Sequence, residues 1–260
     1  MFKHETQVIK FLLQWYSVNA RNLPWRKKNT LNLPDPYFVF VSEYMLQQTT
    51  VNTIKNKFND FILKWPSLNK LAQTSEPNIL KFWSGLGYYS RARNLLKSAK
   101  IIHKNSKNNI PQTYDELIQL PGIGDYTAKA ILGIGYNQSV MPLDANIERI
   151  LVRLHAIDKP INKVKNKLKD LGKKFISDKY SSNLIQSFMD YGSEICLPRN
   201  PKCNICGINK FCQSYKKNLQ QKIPLKLKKK TTKPIKYTRA YVIVNEKNEI
   251  LVRSRPNKGM

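Results

Sequence analysis

Two groups of residues in this sequence have the types and spacing to do chemistry. Cys196, Cys203, Cys206 and Cys212 fall within seventeen residues, separated by six, two and five others. Four thiolates that close can hold a metal centre, either a tetrahedral zinc ion or a 4Fe-4S cluster. Structural zinc sites usually arrange cysteines as two close pairs, and here only Cys203 and Cys206 form one. The second group lies in Leu120 to Asp144, LPGIGDYTAKAILGIGYNQSVMPLD. Thr113 and Glu116 have capping-box spacing, so a short helix is expected over Tyr114 to Leu120, stopped by Pro121 and Gly122. Gly122 and Gly124 are expected to take backbone angles closed to other residues. Asp125 is expected to cap a second helix with the apolar stripe Ala128, Ile131 and Leu132. Such a helix, hairpin, helix unit gathers backbone N–H groups into an anion site that suits one phosphate of a DNA strand and is blind to base sequence. A plain tight turn is the competing reading of PGIG. Asp144 follows, placed to cap a helix over Ala145 to Leu154, where a carboxylate is held in one orientation and kept ionised.

The elements that must position these groups read as helices. Val8, Leu12, Trp15 and Tyr16 recur at helical spacing in the first twenty residues. After the turn Leu23-Pro24-Trp25-Arg26 and a loop bounded by Pro34 and Pro36, Tyr37 to Thr49 reads as an apolar helix carrying one acid, Glu43. Taken alone, Glu43 would face solvent or pair with a lysine. Helical patterning continues from Val51 to Ile110, with Phe58, Phe61, Ile62 and Trp65 on one face. From Ile147 to Tyr191 apolar and basic positions alternate as in helices with one buried and one basic face.

The chain has 260 residues, 41% of them hydrophobic, enough for one large or two modest domains. It carries 45 basic and 17 acidic residues, a formal charge of +28, which points to a polyanion partner. A bias toward Asn and Ile can inflate Lys as well, so placement of charge weighs more than its total. No stretch reaches the ~18 apolar residues that span a membrane, and the start lacks a signal-peptide core. A cytoplasmic protein with no membrane partner is expected, in which four cysteines are metal ligands rather than disulfides.

The run Ser42-Glu43-Tyr44-Met45-Leu46-Gln47-Gln48-Thr49 closely resembles the motif SEVMLQQT of the adenine-DNA glycosylase (MutY) branch of the helix-hairpin-helix DNA glycosylases, departing from it at Tyr44. The Leu23-Pro24-Trp25 turn and the run Gly85 to Leu95, GLGYYSRARNL, are similar to the same branch. So is a hairpin followed by Pro142, Leu143 and Asp144. The cysteine spacing matches the cluster loop of the endonuclease III and MutY group, which favours iron-sulfur over zinc. This resemblance implies an all-α, two-lobed helix-hairpin-helix glycosylase fold with a 4Fe-4S cluster on the four cysteines.

It also implies roles. Glu43 would protonate N7 of adenine, its pKa raised by the apolar helix around it. Asp144 would stabilise or transiently bond the sugar cation, with Tyr126 and Asn146 holding the constellation. Gln48 would wedge into the duplex vacated by the flipped adenine, and Tyr88 would insert beside the opposing guanine. Arg26, Arg91, Gly122 and Gly124 would contact DNA. Tyr126 stands where the bifunctional branch has a lysine, so a hydrolytic, monofunctional enzyme acting as a monomer on adenine opposite 8-oxoguanine or guanine is expected. Ala145 replaces the glycine usual beside the catalytic carboxylate. Two other readings are a related glycosylase for oxidised pyrimidines or mismatched thymine, which Glu43 disfavours, and a non-catalytic DNA-binding relic.

Four segments are expected. Residues 1–29 and 137–216 form the iron-sulfur lobe and 30–136 a six-helix lobe. Residues 217–238 form a basic linker, and 239–260 open a nudix-like domain whose first hairpin is Tyr241 to Val244 with Ile250 to Val252, continuing into Arg253 to Pro256. A lone hairpin is marginal in water. The chain therefore reads as truncated, with 8-oxoguanine discrimination weakened and the hairpin poorly ordered or resting on the catalytic domain.

Overall fold

The computed structural model describes residues 3–105, 109–225, 237 and 239–252, and among these it is helical without a sheet. The first unit extends to Lys226. Several of its helices begin where side chains can satisfy the first free N–H groups. Asp35 caps α2 (Pro36–Leu46), accepting from the Tyr37 amide at 2.8 Å. Thr50 caps α3 (Val51–Lys64), Ser67 caps α4 (Leu68–Ala72) and Ser75 caps α5 (Glu76–Phe82). Helices α1 (Lys3–Asn19) and α6 (Ser90–Asn105) bracket this group in the chain.

Thr113 caps α7 (Tyr114–Ile118) as the capping-box spacing predicts, and its hydroxyl also meets the Glu116 carboxylate at 2.5 Å. The helix after the hairpin, α8 (Asp125–Ala130), widens into a π-type turn over Ile131–Gly135. Asp144 caps α9 (Ala145–Leu154), as expected. Then come α10 (Lys165–Lys173), α11 (Ser181–Glu194) and, past the cysteines, α12 (Gln213–Lys216).

Two packing groups meet at the π-type turn. In one, α1 lies on α11, α11 on α9, and α9 on α10 and α12; in the other, α2 packs on α3 and α6, and α6 on α4 and α5. The π-type turn touches α2 on one side and α11 on the other, and so joins the two groups. Aromatic edges fill the cores, with Trp15 edge-on to Tyr191 at 5.0 Å and Trp25 edge-on to Phe58 at 5.5 Å. No described helix is long and apolar enough to cross a membrane.

Within residues 217–225, expected to begin a solvated linker, Lys217, Asn218, Gln221 and Lys222 are exposed but Ile223 packs. Ile223 is 1% exposed, and its carbonyl accepts from Arg153 Nε at 2.8 Å. One apolar side chain and one buried acceptor outweighed the lysine-rich composition around them. The rest of the expected linker lies outside the described residues except Tyr237.

The second unit covers residues 227–260. Its hairpin forms a turn, with Asn245 N–H to Glu249 O at 3.0 Å and Leu251 N–H to Ile243 O at 2.9 Å, but pairs at the single bridge Val244–Ile250. Tyr241 to Val244 and Ile250 to Val252 are exposed, so the two expected strands do not extend into a ladder. Arg253 to Pro256 lie outside the described residues.

Candidate active site

A cleft of about 830 Å³ opens between the two packing groups, and Glu43, Tyr126, Asp144 and Asn146 all line it. Glu43 comes from the apolar helix α2, where it is 7% exposed, neither solvent-facing nor paired with a lysine. Tyr126, on the first turn of α8, lies beside the Glu43 carboxyl, close enough for its hydroxyl to lower the Glu43 pKa. Asp144 accepts from the Ile147 amide at 2.7 Å through Oδ1 and from Asn146 Nδ2 at 2.7 Å through Oδ2.

The two carboxyls are driven apart in protonation by their surroundings. Burial, reinforced by the charge of Asp144, pushes Glu43 up to about 8, with the Tyr126 hydrogen bond opposing it. Burial raises Asp144 too, but the bonds from Ile147 and Asn146 and the Arg149 charge hold it down. Glu43 is thus the member of the pair that burial keeps protonated at neutral pH. Burial and the neighbouring carboxylates raise Tyr126, which keeps its proton.

The support of Asp144 reaches further than its cap. Arg149 Nη2 donates to Asn146 Oδ1 at 2.8 Å, while its Nε donates to the Cys196 carbonyl at 2.7 Å. Gly192 makes room for this arrangement, because a Cβ there would lie 2.6 Å from Asn146 Cβ. Neither Arg149 nor Gly192 was singled out by sequence reading.

At the cleft mouth, Gln48 and Tyr88 have left-handed backbones, with φ of 57° and 47°. Non-glycine residues rarely adopt this conformation, and Tyr88 is 62% exposed with it. Gly122 is left-handed as expected, at φ 82°. Gly124 is not: at φ −107° it has a conformation open to any residue, and it, not Asp125, is the N-cap of α8. Asp125 opens the first turn instead, where it pairs with Lys129 at 2.8 Å and Lys169 at 3.3 Å. Lys129 is thereby turned to Asp125.

The two arginines expected at DNA do structural work in this fold. Arg91 is buried, and its guanidinium donates to the carbonyls of Met45 at 2.7 Å and Leu86 at 3.0 Å, tying α2 to the loop that carries Tyr88. Arg26 meets both oxygens of Asp190, at 2.6 and 2.7 Å, and Arg21 adds a third contact at 2.6 Å. The Asp190 side chain is 0% exposed. Burial would raise its pKa, but the two guanidinium groups outweigh burial and hold it below the usual carboxylate value.

All four cysteines are free and half-buried, and they line one small cavity, about 30 Å³, walled by Ile150, Leu154, Ile195 and Ile208. Four thiols around one cavity supply the four ligands that a 4Fe-4S cluster takes. Tyr191 Oη donates to Cys206 Sγ at 3.2 Å and Arg153 Nη1 to Cys196 Sγ at 3.3 Å, contacts that favour thiolate over thiol. Burial pushes Cys203 and Cys206 up and Cys212 to about 11, so a compensating cation is needed to ionise them. The residues present therefore fit an iron-sulfur cluster.

Residues 41–174 match the HhH-GPD superfamily of base excision DNA repair proteins. The chain is 38% identical over 252 residues to the adenine DNA glycosylase of Buchnera aphidicola subsp. Schizaphis graminum, spanning 96% of this chain and 71% of that protein. Against the adenine DNA glycosylase of Buchnera aphidicola subsp. Baizongia pistaciae it is 41% identical over 253 residues, 96% of this chain and 70% of the relative. A thermostable thymine-DNA glycosylase superposes with a TM-score of 0.73 at 25% identity, covering 83% of this chain and 98% of that one. Endonuclease III in a non-covalent DNA complex shares the fold, with a TM-score of 0.66 at 18% identity over 85% of this chain and all of the other.

Proposed function

This chain belongs to the adenine DNA glycosylases of the HhH-GPD superfamily, and from that premise we propose that it hydrolytically removes adenine mispaired with 8-oxoguanine or guanine in double-stranded DNA, without cutting the strand. The observation that carries this reading is the burial of Glu43, which pushes its pKa up, beside an oriented Asp144 in one cleft.

A base inside a duplex must leave the stack before a side chain can reach it. Gln48 and Tyr88, in strained backbones at the cleft mouth, are the residues assigned to the gap and to the opposing guanine. The hairpin amides at Gly122 hold one backbone phosphate. Glu43 gives its proton to N7 of the flipped adenine, which makes the base a neutral leaving group as the C1′–N9 bond breaks. The sugar cation that remains lies against Asp144, and water adds to C1′ with loss of a proton. Tyr126 holds the Glu43 carboxyl, and Asn146 holds that of Asp144. A lyase step needs an amine at the sugar, and Tyr126 supplies none.

Cys196, Cys203, Cys206 and Cys212 are assigned to a 4Fe-4S cluster, which when bound supplies a cross-link that fixes the loop between them. The proposed lobes, 1–29 with 137–216 and 30–136, follow the two packing groups, and residues 239–260 are assigned as the opening of a nudix-like unit.

The test is a single-turnover assay on duplexes carrying adenine opposite 8-oxoguanine, guanine or thymine, with and without alkali and borohydride. Excision of adenine from the first two, strand breaks only after alkali and no trapped adduct are expected. Excision of thymine or pyrimidine lesions instead, or a borohydride adduct, overturns the proposal.

A further inference from the structure

The tyrosine beside the proposed acid sits where the Ser42–Thr49 run departs from its motif, and its hydroxyl leads out of the active site. Tyr44 is fully buried. Its Oη lies 2.5 Å from the carbonyl oxygen of Pro121, on the first limb of the hairpin. Ser98, on α6, is 2.9 Å from Tyr44 Oη and 3.1 Å from the same carbonyl. Two hydroxyls from two helices thus converge on one hairpin acceptor. The ring supports the next residue, since a Cβ on Gly122 would lie 3.0 Å from Tyr44 Cε1. Gln47, on the residue after α2, adds a bond from Nε2 to the Gly122 carbonyl at 3.2 Å.

These contacts leave the hairpin little freedom to move against α2. They engage its carbonyls, which leaves amides available for a phosphate. The residue that makes the shortest of them is adjacent to Glu43. A displacement of about 1 Å between a group that holds the substrate and a group that reacts with it can cost ~100-fold in rate, so the length of this link matters to chemistry as well as to folding.

We propose that Tyr44 is a positioning residue for the reaction: through the Pro121 carbonyl its hydroxyl sets the register between the phosphate-holding hairpin and the catalytic helix, so that DNA gripped at Gly122 presents its flipped base at Glu43. Ser98 is the second half of the same link. The inference rests on the function proposed above, because it needs both the clamp and the acid.

Tyr44→Phe removes the hydroxyl and keeps the ring that fills the core. Losing one such bond is worth about 1 kcal/mol, roughly a fivefold change in an equilibrium or rate. For adenine opposite 8-oxoguanine, the single-turnover rate at saturating enzyme is expected to fall about 3- to 10-fold, measured well below the melting temperature. Duplex Kd is expected to stay within about twofold, since the amides that hold phosphate are untouched. Ser98→Ala should do the same, and the double variant should be little worse than either single one, because both hydroxyls act on one carbonyl. A saturated rate equal to wild type in Tyr44→Phe, with only the melting temperature lowered, makes the link structural and overturns the inference. So does full additivity of the two variants. The wild-type rate is measured in parallel: its absence removes the function reading and this inference with it, whereas a normal wild-type rate isolates a failure to Tyr44.

Discussion

Arg149 Nη2 donates to Asn146 Oδ1 at 2.8 Å, which turns the Asn146 amide so that its Nδ2 meets Asp144 at 2.7 Å. The same guanidinium holds the carbonyls of Cys196 and Gly192. The orientation of Asp144 is therefore set partly from the cysteine loop. Arg149→Gln should lower the saturated excision rate by up to about 100-fold while leaving duplex binding within a few-fold, because it disturbs a group needed in the transition state more than one needed in the ground state. An unchanged rate in a folded, iron-containing variant would separate Asn146 from this support.

The pH profile follows from the two carboxyls. Glu43 acts protonated, and with its pKa pushed up to about 8 in the free enzyme kcat/KM should fall above that pH, by about tenfold per unit. Asp144 acts ionised, and its raised pKa places the acid limb above the ordinary carboxylate value. Because the groups interact, the limbs belong to the pair. The linkage to stability has a definite sign. A carboxyl whose folded pKa is raised contributes stability fully present below its unfolded value and lost as pH rises through about 8. Glu43→Gln, permanently neutral, should therefore lose less stability than wild type between about pH 5 and pH 8 in urea titrations. Parallel curves for the two proteins would contradict the buried, protonated state.

Asp190 should be the acid whose loss the fold notices most. It is buried with two guanidinium groups on it, and Asp190→Ala leaves Arg26 nearly buried and unpaired. Breaking such a pair costs about 3–5 kcal/mol, discounted toward the lower figure because Arg21 can reach solvent. With its pKa depressed, the carboxylate's contribution is present above the unfolded value and lost as pH falls through the lower folded one. Melting at pH 7 should show a drop of several degrees, shrinking in acid. A drop under one degree at pH 7 would mean that Arg21 and Arg26 find water instead.

The parts legible in sequence were those encoded locally. Caps at Thr113 and Asp144 mark their helices by the residue type that satisfies the first free amides. Glu43, Asp144 and the cysteines were visible because short motifs surround them. What sequence missed is made by contacts between distant segments. Arg26 and Asp190 stand 164 positions apart, and Arg149 and Cys196 stand 47 apart. The resemblance implied DNA contacts for Arg26 and Arg91, and the burial of their charges is decided only when partners arrive from elsewhere in the chain. A signal for Asp190 was present all the same: an acid on a largely apolar helix of a basic chain. Gly192, two residues later, was the place where another backbone could approach. Ile223 shows the opposite failure, where composition hid a single anchoring side chain.

The central claim is that Glu43 is the proton donor for loss of adenine. Its direct test is the single-turnover excision rate of Glu43→Gln on a duplex with adenine opposite 8-oxoguanine, at enzyme concentrations shown by binding to saturate the DNA. A loss of ~100-fold to 10,000-fold is expected, with Kd close to wild type, since the amide keeps the shape and hydrogen-bonding reach of the carboxyl but has no acidic proton. A saturated rate within a few-fold of wild type would contradict the account.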